Sequence, residues 1–80
     1  MMEELKKWFF SFGQGHVSPS GYPLHNVVAE IEAGSYMDAR EKMFSFAGEK
    51  WAFQYGSKEE AGVDRFNLRV LTLEELEQVW

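Results

Sequence analysis

Lys7-Trp8-Phe9-Phe10-Ser11-Phe12 is the stretch whose reading decides the fold. Its residues favour strand, because aromatic side chains pack well on a pleated, half-buried surface. Alternation places Trp8, Phe10 and Phe12 on one face and Phe9 and Ser11 on the other. A second strand is expected over His25–Ala33. There Val27, Ala29, Ile31 and Ala33 make an apolar face, and Glu30 and Glu32 point the other way. Between the two strands, Gly13, Gly15, Pro19, Gly21 and Pro23 supply turn chemistry. The pair therefore reads as a hairpin with a wide loop, near the length at which loops often carry function.

Outward from that hairpin, Gly34-Ser35 closes the second strand and opens a helix. Ser35 is a good N-cap with Asp38 three residues on. Tyr36, Ala39, Met43 and Phe46 follow as an apolar stripe, Asp38 and Lys42 form an i,i+4 pair, and Gly48 is a terminator. Lys50–Tyr55 is a third strand, with Trp51, Phe53 and Tyr55 on one face and Gln54 on the outer face. Ser57–Glu60 caps a short turn of helix around Lys58–Ala61. Phe66–Leu71 reads as a fourth strand with Phe66, Leu68 and Val70 inward. Thr72 and Glu75 match a capping box before a last helix over Leu73–Val79. The order β-β-α-β-(α)-β-α implies an α+β fold with its helices on one face of the sheet. That is a small, mainly antiparallel sheet of three to four strands, one main helix packed on one face, and a short C-terminal helix.

At 80 residues and 9.3 kDa the chain has room for a single domain over residues 1–80. So small a domain buries a limited core. The apolar content of 45% and the 16% aromatic share partly offset this, since each aromatic buries a large area. There is no cysteine, which removes disulfides, thiolate metal sites and cysteine nucleophiles together. No apolar run approaches the roughly 20 residues that span a bilayer, and the charged start does not resemble a signal peptide. The expected compartment is the cytoplasm. A net charge of −5 disfavours direct binding to nucleic acid, whose backbone selects for Lys and Arg.

Reactive groups are sparse. His16 and His25 have no recognisable ligand spacing, so no metal site is expected. Gly13-Gln14-Gly15 leads into Val-Ser-Pro-Ser-Gly rather than a helix N-terminus, so it does not read as a phosphate cradle. Glu59-Glu60 and Glu74-Glu75 fit solvated helix faces better than a catalytic pair. The serines have no evident base partner. The reading is a protein that is not an enzyme and has no cofactor.

The aromatic excess is more informative. With Trp8, Phe10 and Phe12 facing the core, Phe9 faces outward unless something covers it. Tyr22 lies in the loop and Trp80 ends the sequence. Exposed aromatics are favoured anchors at protein interfaces.

Trp8–His16 (WFFSFGQGH), Ala39–Phe44 (AREKMF), Lys50–Tyr55 (KWAFQY) and Glu59–Val63 (EEAGV) together resemble a family of small uncharacterised proteins encoded by bacteriophages and prophages, mainly of Gram-positive bacteria. The likeness spans about residues 6–71; Tyr22–Asn26 and the tail after Leu71 are less typical. The resemblance implies a phage accessory protein acting in the bacterial cytoplasm. Such a protein would bind and inhibit a bacterial protein, with a nucleic-acid-binding defence nuclease of the CRISPR type as the leading example. The expected contact residues are Phe9, Gln14, His16 and Tyr22 near the loop, with Gln54 on the third strand. Two other readings stay open: a sponge for a nucleotide signal, and a homo-oligomeric virion component. A homodimer is compatible with all three.

Overall fold

A computed structural model of the protein describes residues 5–13 and 16–80. Its elements run β1 (Lys6–Ser11), β2 (Val27–Ala33), α1 (Tyr36–Ala47), β3 (Phe53–Tyr55), α2 (Lys58–Ala61), β4 (Arg69–Thr72) and α3 (Leu73–Val79). The α+β class, the main helix and the shorter C-terminal helix are as the sequence indicates. The sheet order is β3-β1-β2-β4. β1 pairs antiparallel with both β2 and β3, whereas β4 runs parallel to β2. β2 and β3 therefore point the same way with β1 between them, so α1 is the crossover of a βαβ unit split by an antiparallel strand.

Alternation in β1 governs both faces. Phe10 pairs with Ala29, and Trp8 with Ile31. These side chains and Phe12 meet Val27 and Ala33 beneath Ala39, Met43 and Ala47 of α1 and Leu76 of α3. Phe10, Leu24, Met43 and Leu76 have no exposed surface. Each large side chain buried in this way contributes roughly 1.5–3 kcal/mol. The helices start where their caps predict. Ser35, Ser57 and Thr72 each accept a bond from the backbone N–H three residues on, and Thr72 and Glu75 complete a reciprocal box.

The opposite face is covered too, against the expectation that all helices share one side. Phe9 is only 3% exposed; it packs with Val28 and Ala61, and Tyr55, Val63, Leu68 and Val70 close around them. The cause is local. Gly62 caps α2 in the left-handed region (φ 76°), which folds the following residues back over the sheet. Phe9 is thus a core residue, not an outward contact.

Two strand readings change. β4 begins at Arg69 rather than Phe66, because Asn67 takes a positive φ of 52° that extended backbone does not allow. Phe66 is left 64% exposed. In β3, Gln54 stands opposite Phe10, so it shares the α1 face, while Phe53 and Tyr55 stand opposite Ser11 and Phe9. The simple alternation fails because Trp51 precedes the strand. Ala52 N–H donates to Ser11 O at 2.7 Å, and Trp51 turns back to pack edge-on against Phe10 and Phe44.

Candidate binding face between α1 and β3

The loop segment over residues 16–24 is built as structure. A turn, Ser18–Gly21, closes with Gly21 N–H donating to Ser18 O (2.8 Å), and Gly21 sits at φ 94°. Ser18, 2% exposed, is the hub. Its hydroxyl donates to Val79 O (2.7 Å) and accepts from Tyr22 N–H (3.0 Å). Ser20 N–H donates to Trp80 O, and the Trp80 ring packs on Phe46 and Phe12. Leu24 carries the same loop into the core.

The residues expected to make contacts are therefore dispersed. Gln14 lies outside the described residues. His16 is exposed, with Nδ1 2.8 Å from Lys50 O; the carbonyl can only accept, so Nδ1–H is the donor. Tyr22 is half-buried, and its hydroxyl accepts from Arg69 Nη1 at 2.7 Å. Gln54 is half-buried under α1, where its Nε2 donates to Tyr36 O at 3.0 Å. With Phe9 in the core, the four described residues do not form one surface.

What the chain does assemble is a groove of about 340 Å³ between α1 and β3. Tyr36, Arg40 and Phe44 enter it from successive turns of α1, and Trp51, Phe53 and Gln54 from the other wall. The Arg40 guanidinium carbon lies 4.8 Å from the Trp51 ring centroid and 5.5 Å from that of Phe44. Such cation–π contacts hold the side chain in place while leaving its N–H groups free. Its one side-chain polar contact among the described residues is a long one, Nη1 to Tyr36 Oη at 3.5 Å. Among the described residues the one ion pair is Lys7–Glu30 at 4.0 Å, so Arg40 has no carboxylate partner there. Glu49 lines the same groove without pairing to it.

Two further features mark this face. Trp51 Nε1 and Gln54 Oε1 are buried polar atoms with no hydrogen-bond partner among the described residues, a donor and an acceptor on one wall. β3 is also an edge strand, unpaired on its outer side among the described residues. Residues 51–57 carry no charge, and Phe53 is 65% exposed. Edge strands are normally protected by charge, proline or a covering segment. Nearby on α1, Met37, Tyr36 and Phe44 are also exposed large side chains.

Other acids lie elsewhere. Glu30, Glu32, Glu41, Glu74 and Glu77 line two adjoining grooves around Lys42, whose Nζ donates to Glu32 O. Among the described residues no three His, Asp or Glu side chains gather as a metal site, and no helix is long and apolar enough to cross a membrane. The spacing Tyr36, Arg40, Phe44 was visible in the sequence as i, i+4, i+8. What hid it was the wrong phase of β3, which put Gln54 on the far side. No protein-family model matches the chain, and no curated protein or solved structure is detectably similar to it.

Proposed function

We propose that this protein is a non-catalytic module that binds another protein through the face formed by α1 and β3. One observation carries the reading. An uncharged edge strand with a largely exposed Phe53 adjoins a groove in which Arg40 is held on two aromatic rings. Aromatic and arginine side chains at the centre of a patch are the usual carriers of interface energy. On the resemblance to phage-encoded proteins, the partner is a bacterial protein and the binding is inhibitory. A nucleic-acid-binding defence nuclease is the first target to test. The acids around Lys42 would steer encounter with a basic partner without touching the docking face.

The test is capture of the partner from bacterial lysate by tagged protein, quantified by mass spectrometry and repeated with the purified components. A Phe44→Ala/Phe53→Ala double variant is the control; both side chains are exposed, so the fold should survive. The expected result is one protein recovered near stoichiometry and lost with the variant, weakened by about 2 kcal/mol or more. Equal recovery by both forms would move the contact off this face and defeat the reading.

A further inference from the structure

The geometry points to the occupant of this face as an extended peptide segment that adds to the free edge of β3 and sets one carboxylate side chain against Arg40. The inference rests on the proposed protein-binding role and gives its partner a chemistry.

Three observations converge. First, the sheet order leaves one side of β3 open among the described residues, and residues 51–57 contribute no charge to repel a strand. A sheet edge recognises another chain through its backbone, with alternate side chains read by flanking pockets. Second, the flanking pocket beside β3 is the groove that holds Arg40. A guanidinium fixed on aromatic faces, with N–H groups to spare and no carboxylate partner among the described residues, matches the two oxygens of a carboxylate. Third, the unpartnered polar atoms lie on the same wall. Trp51 Nε1–H needs an acceptor and Gln54 Oε1 needs a donor. Buried polar atoms are ordinarily satisfied, and these two are covered in the free protein, so the carboxylate oxygens and backbone N–H of an acidic peptide reach them only if the wall over them opens. Glu49 on the groove wall limits the charge. A second acid in the segment would face it, so the segment carries one acid flanked by uncharged residues. Of the eight basic residues, Arg40 is the one that lines this groove. Lys42 is already bonded to Glu32 O, Arg69 to Tyr22 Oη, and Lys7 is paired with Glu30.

The probe is a displayed library of random nine-residue peptides, panned on the intact protein. Enriched sequences are then synthesised as acid and amide twins (Glu or Gln at the conserved position) and titrated by fluorescence anisotropy. The expected enrichment is one Asp or Glu, with uncharged β-branched or aromatic residues at alternating positions around it. Replacing that acid by its amide should weaken binding to the native protein about tenfold or more. Against Arg40→Gln the two twins should bind alike, the signature of a direct pair in a double-mutant cycle. Arg40→Lys keeps the charge without the fork and should fall between. A melting curve for each variant shows that it is folded. N-methylation of alternate peptide backbone nitrogens should abolish binding in one phase and spare it in the other.

No enrichment, or enrichment without an acid, overturns the inference. An acid–amide difference undiminished by Arg40→Gln places the carboxylate elsewhere and also overturns it. Binding that survives both phases of N-methylation excludes strand addition. The protein-binding role fails separately, when the Phe44/Phe53 control in the lysate capture shows no loss.

Discussion

The loop over residues 16–24 and the groove between α1 and β3 are both rich in polar and aromatic side chains, yet they are used in opposite ways. In the loop the polar groups are spent internally. Ser18 donates and accepts, His16 holds the Lys50 carbonyl, and Tyr22 takes a bond from Arg69. In the groove Arg40 is ordered by aromatic rings but not neutralised, and one donor and one acceptor are left unmatched. A loop of irregular backbone is therefore part of the scaffold, and a helix–strand seam is the part left available. Residual, unsatisfied polarity separates the two better than irregularity or composition does.

The comparison can be broken most directly at Leu24. If the loop is scaffold, Leu24→Ala should destabilise the fold by roughly 2–5 kcal/mol, the range for emptying a fully buried leucine site. Chemical denaturation measures it, and a loss below about 1 kcal/mol would return the loop to the class of removable segments. Next is Ser18→Ala, which leaves Tyr22 N–H without its partner and Val79 O with Ser20 Oγ alone. A loss of about 1–3 kcal/mol is expected, with affinity for any partner unchanged. In the groove the sign changes. Trp51→Phe removes an unsatisfied buried N–H while keeping a ring for Phe10 and Phe44, so stability should hold or rise, within about 1 kcal/mol. A clear fall in melting temperature would mean that Nε1 is bonded in solution. The smallest effect belongs to Phe53→Ala, which should alter stability by less than about 0.5 kcal/mol while weakening partner capture.

Much of the fold was legible because its signals are local. Three N-caps, the alternation of Val27–Ala33 and the glycine that ends α1 need no tertiary information. The β1 alternation was also read correctly, but its consequence was not. Phe9 does point away from α1, and whether it is bare depends on what Gly62 and residues 62–68 do some fifty residues later. The phase of β3 failed for a similar reason. Strict alternation from Trp51 assumes a continuous strand, whereas the strand begins at Phe53 and is set by pairing with Ser11. Asn67 is the third case: a single residue at positive φ moved the start of β4 and exposed Phe66. The groove depends on the β3 phase, so the site was lost with it, although Tyr36, Arg40 and Phe44 were in plain view at helical spacing.

The position of β1 between two strands that both run against it has a kinetic consequence. β1 and β2 pair first in chain order, but the second side of β1 is filled only after α1 has been made and crossed over. Closing that longer circuit costs more chain entropy than closing the hairpin, so β3 joins an already formed β1–β2 pair. The strand with the fewest ladder partners is also the first to open. Amide hydrogen exchange should therefore be fastest in Phe53–Tyr55 among the strands, and slowest in the central residues of β1 and β2. A molecule captured on that three-residue strand would slow the exchange of β3 before that of any other strand.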